Sequence, residues 1–298
     1  MTELEKKLWK RTNWVVRVLR IVPFVSMVAV CNNLAFAKVD AKSDIDLFIV
    51  AKKGHMFTVR FFTVIILQIL GVRMHGDKVS GRFCLSFFID ESHLNLRPIA
   101  ISEDIYLAFW IKSLIPLIDN GVSEEFLEEN FWAERFFENK SDFVMDRSKV
   151  LKKSWFTAVP RAMLWFLFGD WFESLIGRWQ LARARWKSAP YDDGVVVGEN
   201  ILKFHHHDRR TYYRDQFFDK FGKDAKVVQD NFLQIGIGGI LRKLGGILLG
   251  ILLLLMVLRL LGVKFQLKIG DWPILCLVKI LFFAVRMNLV VLMMYVIL

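Results

Sequence analysis

Apolar residues recur along the chain with two different periods, which predict helices and strands in alternation. Residues 3–20 carry apolar side chains at helical spacing, which predicts an amphipathic helix that ends before Pro23. A long apolar stretch at 56–72 predicts a core helix. Short apolar, β-branched runs predict three buried strands, at 24–31, 45–50 and 82–89. The resulting order, β–loop–β–α–β, indicates an α/β fold class.

Helical spacing dominates the next part of the chain. Residues 102–140 and 155–187 predict helices rich in aromatic side chains, 195–198 a short strand, and 208–222 a charged helix that ends at Gly222. Within 155–187, basic residues alternate with tryptophans. That pattern fits RNA stacking or a helix at a membrane interface. A simpler interpretation is an amphipathic helix that packs on the core and turns a basic face outward.

The C-terminal segment is far more apolar than the rest. Residues 244–263 contain one charge, Arg259, and are long enough to cross a bilayer core. A second apolar run, 273–298, is broken by Lys279, Arg286 and one asparagine. We therefore predict a transmembrane-like helical hairpin at 244–298. A buried hairpin or an oligomerisation element is the alternative.

The net charge limits the classes of partner, and the cysteines indicate the cellular compartment. The chain of 298 residues has a formal net charge of +11, which suits nucleotides, RNA or anionic lipid headgroups without choosing among them. Its three cysteines lie far apart in apolar surroundings, which indicates thiols in a reducing compartment and not a disulfide framework.

Two aspartates mark the start of the second predicted strand. Asp44 and Asp46 flank Ile45, and the two-residue period of a strand places both carboxylates on one face. Like charges held that close are unfavourable unless a cation neutralises them. Mg²⁺ (or Mn²⁺) is the natural choice, because it prefers carboxylate oxygens and completes its shell with phosphates and water. Asp44 and Asp46 are therefore predicted metal ligands and catalytic residues.

A small polar turn lies between the first two predicted strands. Asn32 and Asn33 follow the first strand, where backbone N–H groups can hold phosphate oxygens. Asparagine also tolerates left-handed backbone angles better than most residues. We therefore predict that Asn32 and Asn33 bind phosphate.

The strand, turn and Ser43-Asp44-Ile45-Asp46-Leu47 together resemble the nucleotidyltransferase superfamily of DNA polymerase β. The pair Asn32-Asn33 occupies the place of the family's Gly-Ser. The chain also resembles uncharacterised bacterial proteins with a nucleotidyltransferase domain, over roughly 13–222. The resemblance implies a mixed sheet and the transfer of a nucleoside monophosphate from an NTP to a hydroxyl, with pyrophosphate released. The acceptor stays open: protein, RNA or a small molecule.

Two departures from the family pattern keep a second function open. Asn32 replaces a glycine, and the strand expected to carry a third carboxylate offers Cys84 and Ser86 on one face. Asp90, at the end of that strand, is the candidate third acid. If Asp90 does not act, either the reaction manages without a third acid, or the domain is a catalytically degenerate nucleotide- or RNA-binding module. The run His205-His206-His207 lacks partners for a zinc site and is interpreted as structural.

The predicted organisation has four parts. A nucleotidyltransferase core spans 13–101, a helical accessory region 102–222, a linker 223–243 and a membrane hairpin 244–298. Because NTPs are cytosolic, we expect a membrane-associated protein whose catalytic region faces the cytoplasm.

Overall fold

A computed structural model of the chain describes residues 1–227, apart from 37, 140–141, 153–154, 191–193, 205–207 and 223–224. All of them belong to the first of two units, Met1–Gly238. The predicted linker, the membrane hairpin and the histidine run therefore lie wholly or almost wholly outside the described residues. No helix in the described ranges combines the length and the apolar character that a bilayer crossing requires.

The described fold is a mixed α/β structure built on a six-stranded sheet. The strands are β1 (Val25–Cys31), β2 (Ile45–Ala51), β3 (Phe83–Asp90), β4 (Ile115–Asp119), β5 (Val195–Val197) and β6 (Ile201–Phe204). Their order across the sheet is β4-β1-β2-β3-β6-β5. The pair β2–β3 is parallel and every other neighbouring pair is antiparallel. The central strands are buried on both faces, which explains their continuous apolar runs.

Eight α-helices accompany the sheet in the described ranges. They are α1 (Glu3–Leu19), α2 (Asn32–Ala35), α3 (Met56–Ile69), α4 (Ile105–Lys112), α5 (Val122–Glu129), α6 (Trp155–Leu167), α7 (Asp170–Ser188) and α8 (Arg210–Phe221). A capping box between Thr2 and Glu5 begins α1. Gly222, with a φ of 92°, ends α8 as the sequence predicts.

The helices cover both faces of the sheet and divide the apolar core in two. One core cluster joins Val28, Leu47 and Ile49 to α1 and α3. The other joins Ala29, Phe48 and Phe87 to α4, α5 and α8. Because residues alternate along each strand, Cys31 and Asp46 lie on the second of these faces. The candidate chemistry therefore begins where that face meets solvent.

After residue 101, the structure corrects the helical prediction for part of 102–140 and adds a strand that the sequence did not predict. Ile115–Asp119 is not helical but forms β4, an edge strand beside β1, and Pro116 is tolerated there because an edge strand needs fewer N–H donors. Ile201–Phe204, which had no predicted structure, is β6 and pairs with β3. The sheet thus continues across the predicted boundary at 101. The run at 155–187 is two helices, separated near Gly169.

Candidate metal and phosphate site

Asp44 and Asp46 lie together where β2 begins, as their spacing predicts. Together with Cys84 they offer one ligand atom each, and these atoms lie within 4.8 Å of one another. Asp46 is 8% exposed, whereas Asp44 is half-buried. The upstream turn is closed by Ser43, whose side chain contacts Asp40. The strand start and this turn hold the two carboxylates side by side.

Burial makes the charge of this pair costly. Burial, followed by the neighbouring charge of Asp44, raises the pKa of Asp46 to about 7. Burial also raises the pKa of Asp44. In the described structure, hydrogen bonds from Asn32 and Cys84 to Asp46 offset only part of that cost. A bound cation would remove the rest of it.

Asn32 connects the acidic pair to the core. Its φ is 55°, in the left-handed region that asparagine tolerates. The Trp110 indole N–H donates to Asn32 Oδ1 over 3.0 Å, so the amide nitrogen is the group that faces Asp46. Trp110 is itself fixed by ring contacts with Phe48 and Phe87. The turn residue is therefore oriented by a buried aromatic cluster, and Asn33, the next residue, is exposed.

Cys84 takes the position beside the pair where the resemblance leads one to expect a third acid. It pairs with Asp46 across the parallel strands β2 and β3. Burial and the charge of Asp46 raise the pKa of the Cys84 thiol, so at neutral pH it is a neutral S–H. Its thiol donates to Asp46. A thiolate is a softer ligand than a carboxylate and suits Zn²⁺ better than Mg²⁺ or Mn²⁺.

The structure does not bring Asp90 to the pair. Asp90 pairs with Ala51, five residues beyond Asp46, which puts it about 17 Å along the sheet. Its carboxylate accepts from the Gly54 and Ser92 N–H groups, and the residue is 1% exposed. Asp90 thus stabilises the turns at Gly54 and Ser92, at the end of β3 opposite to the acidic pair. It is too distant to share a metal ion with Asp46, which corrects its prediction as the third acid.

A cavity of about 220 Å³ opens next to the acidic pair. Asn32 and Trp110 form the wall that the cavity shares with the carboxylates. Tyr106 and Tyr213 stack on each other at 5.2 Å and line another wall. Aromatic walls of this kind accept flat rings, including nucleobases.

Charged groups, mostly basic, line a further wall of this cavity. Lys203 comes from β6, and Asp208, Arg209 and Arg210 precede or begin α8. The Lys203 ammonium donates to the Gly194 carbonyl over 2.8 Å and lies 3.7 Å from Asp208. Burial lowers the pKa of Lys203. The cavity therefore carries a cation whose charge is only partly matched by a carboxylate.

Arg210 is the structural centre of this basic wall. It pairs with Asp208 over 2.6 Å and with Asp104 over 2.7 Å. Burial favours the protonated form of Asp208, but hydrogen bonds from Arg210 outweigh it and lower the pKa of Asp208 to about 2. Asp104 also caps α4 by accepting from the Leu107 N–H. Arg210 thus holds α4 and α8 together beside the cavity, while Arg209 is exposed.

The acidic pair fits a divalent cation on chemical grounds. Its carboxylates are hard oxygen ligands, they lie close enough to share an ion, and hydrogen bonds compensate only part of the cost of burying their charge. Asp44, Asp46 and Cys84 are the group of possible ligands that the described residues bring together.

Much of this neighbourhood escaped prediction from the sequence. Cys84 was visible only as a departure from the family pattern, and the sequence predicted no role for Trp110 or Lys203. The sequence does not show how the strands pair. The strand β6, which carries Lys203, lies two strands from β2, about 10 Å across the sheet.

No protein-family model matches the chain, and no curated protein matches it.

Proposed function

We propose that the chain is a metal-dependent nucleotidyltransferase that transfers a nucleoside monophosphate from an NTP to a hydroxyl. One observation carries the proposal: Asp44 and Asp46 lie within 4.8 Å of each other beside a cavity with aromatic and basic walls. The resemblance of the strand–turn–Asp-x-Asp pattern to the DNA polymerase β superfamily supports the same activity.

The chain's own residues divide the work in this proposal. Asp44 and Asp46 hold Mg²⁺ or Mn²⁺, which would neutralise charge on the triphosphate and align it with the incoming hydroxyl. Asn32 orients Asp46, and Asn33 presents its exposed amide to a phosphate oxygen.

The cavity would receive the rest of the nucleotide. The base stacks on the wall formed by Tyr106 and Tyr213, and Lys203 faces the phosphates or the sugar. Asn32 lines the cavity and also donates a hydrogen bond to Asp46. A nucleotide in the cavity would therefore have its phosphates near the carboxylates. The acceptor hydroxyl then attacks the α-phosphorus and loses its proton to solvent, the bond to the pyrophosphate oxygen breaks, and pyrophosphate leaves.

Label transfer tests this function directly. The full chain is incubated with each α-³²P-labelled NTP in turn, with Mg²⁺ or Mn²⁺, total RNA and a protein lysate. Label on RNA, protein or a small molecule supports the activity and identifies the acceptor class. The Asp44→Asn/Asp46→Asn variant should lose the label. A matched control, Asp77→Asn/Asp219→Asn, removes two exposed carboxylates and should keep it.

A binding module is the second candidate, and the position of Cys84 favours it. A thiol lies beside Asp46, and Asp90 is about 17 Å away, so in the described residues no third carboxylate joins the pair. A degenerate domain of this kind would bind nucleotide or RNA in a metal-dependent way without transfer. Equilibrium dialysis with labelled NTPs separates the two, because binding without incorporation supports the module alone.

The proposed location is the cytoplasmic side of a membrane, with 244–298 as the anchor. Its basis is the apolar sequence of that segment. Deletion of 240–298 should move the protein from the membrane fraction toward the soluble fraction. Unchanged fractionation would contradict an anchor in this segment.

A further inference from the structure

Helix α6 carries an exposed apolar stripe. Trp155, Val159, Met163 and Phe166 recur at intervals of four, four and three residues, which places them on one side of the helix. They are 70%, 68%, 64% and 81% exposed. Side chains this large and apolar rarely form a continuous exposed stripe on a soluble surface unless they contact something.

Helix α7 carries a second stripe of the same kind. Trp171, Leu175, Trp179 and Trp186 fall within about 80° of one another on a helical wheel of 100° per residue. All four are more than half exposed. We call these eight residues on α6 and α7 the α6–α7 face. The sequence had favoured a basic outer surface here, but the structure shows a surface that is aromatic and basic together.

The opposite side of α7 is fixed to α3, which determines what α7 exposes. The Glu173 carboxylate accepts from the Phe57 and Thr58 N–H groups at the start of α3. The Gln180 amide donates to the Phe57 carbonyl over 2.8 Å. A Cβ at Gly177 would lie only 3.1 Å from the Phe57 ring, so the two helices approach closely there. The outward stripe therefore cannot turn inward without breaking these contacts.

Basic residues border the apolar stripe of α7. Residues 155–189 contain five basic and two acidic side chains, a net formal charge of +3. Arg178, Arg183 and Arg185 are exposed on α7, on either side of its stripe. Arg161 lies on the side of α6 away from the α6 stripe, where it and Arg20 line a cavity of about 230 Å³ at the edge of the sheet. The α7 stripe is thus bordered by guanidinium groups that attract an anionic partner.

We propose that the α6–α7 face binds the surface of an anionic lipid bilayer. Tryptophans at the level of the headgroups, aliphatic side chains below them and arginines beside phosphates are the features of an interfacial helix. Helices of 13 and 19 residues lying in the interface need not cross it. This inference is independent of nucleotide transfer, and it adds a membrane contact separate from 244–298.

Other occupants fit these observations less well. A second copy would bring two surfaces of net positive charge together, which is unfavourable. RNA would use the tryptophans and arginines, but Val159, Met163 and Leu175 offer it no stacking surface. The chain's own apolar segment at 244–298 would cover the stripes but would leave the surrounding arginines without an anion.

Photo-crosslinking of the full chain distinguishes these occupants in one experiment. Leu175 is replaced by p-benzoylphenylalanine, and the protein is irradiated with vesicles of phosphatidylcholine containing phosphatidylglycerol, in the presence of total RNA. Mass spectrometry then identifies the adduct. Glu125 on α5, exposed on the helix layer of the other sheet face, is the control position. We expect phospholipid adducts from position 175 and none from position 125.

A charge-reversed variant tests the role of the arginines. Arg178→Glu/Arg185→Glu changes two exposed side chains, and thermal midpoints should show that the fold is kept. Each basic residue near an anionic membrane contributes enough that this variant should give about tenfold fewer lipid adducts with the anionic vesicles. Adducts to RNA, to a second copy or to 244–298, or an unchanged lipid yield in this variant, would overturn the proposal.

Discussion

The buried charge of Asp46 makes a stability prediction that does not depend on knowing the substrate. The perturbation is Asp46→Asn, which keeps the shape of the side chain and removes its charge. The carboxyl group has a pKa of about 7 in the folded protein, against an ordinary pKa of 3.8 for a solvated aspartate. The folded state therefore holds this proton more tightly than the unfolded state does, so metal-free stability is highest below about pH 4 and falls until about pH 7.

The size of the effect follows from the same two values. A difference of one pKa unit corresponds to about 1.4 kcal/mol, so ionised Asp46 costs on the order of 4 kcal/mol in the metal-free protein. The asparagine variant does not have this cost, because its side chain does not ionise. For a domain of roughly 200 residues, that free energy corresponds to a midpoint about 10 °C higher at pH 8.

Thermal unfolding of the full chain in EDTA, followed from pH 4 to pH 8, measures this difference. The variant's advantage should be absent near pH 4, grow between pH 4 and pH 7, and level off above pH 7. Saturating Mg²⁺ or Mn²⁺ should then reduce the variant's advantage at pH 8 by more than half. A ligand at 100 times its Kd stabilises the wild type by about 2.7 kcal/mol and should leave the variant almost unchanged.

The control for this experiment is Asp77→Asn, which removes one exposed carboxylate. It should shift the midpoint little at any pH. A variant advantage that is the same at pH 4 and pH 8 would refute the reasoning, because only ionisation of Asp46 makes the effect depend on pH. Equal stabilisation of wild type and variant by metal would refute the assignment of Asp46 as a ligand.

Three further predictions concern the walls of the site. Trp110→Phe removes the indole N–H that holds Asn32, so Mn²⁺ affinity measured by calorimetry should fall about tenfold, whereas Trp132→Phe should leave it unchanged. Asn32→Ala keeps a Cβ at a φ of 55° whereas Asn32→Gly removes it, so urea unfolding should show the alanine variant about 1 kcal/mol less stable than the glycine variant; equal stability would argue against the left-handed backbone. Arg210→Met leaves Asp104 buried without its ion-pair partner, so it should lower the free energy of unfolding by about 3 kcal/mol, and Arg209→Met, at an exposed position, should change it little.

The sequence was sufficient to predict the features that depend only on residues close together in the chain. The three apolar runs at 24–31, 45–50 and 82–89 correspond to β1, β2 and β3, because a strand buried on both faces needs a continuous apolar sequence. The Asp44–Asp46 pair was predictable for the same reason, since the period of a strand places alternate residues on one face. The positive φ of Asn32 also follows from its own residue type.

Pairing across the sheet was not predictable from the same signals. β4 was hidden because its short apolar run follows α4 directly and contains Pro116, which made the region look helical. β6 has four residues, too few to show a period. The surface of α7 was misjudged for a different reason. Helical spacing identifies two sides of a helix, but only the contact with Phe57 shows which side is buried.

These differences explain why the sequence predicts only the acidic pair of the candidate site. The two aspartates are separated by one residue, so a short stretch of sequence is enough to identify them. The cavity beside them is assembled from segments about 170 residues apart in the chain, because Asn32 follows β1 while Lys203 belongs to β6. The position of Cys84 depends on the register of β2 with β3, and that register decides whether the pair has a third carboxylate or a thiol for a neighbour. The choice between transfer and binding alone therefore depends on the part of the site that strand pairing builds.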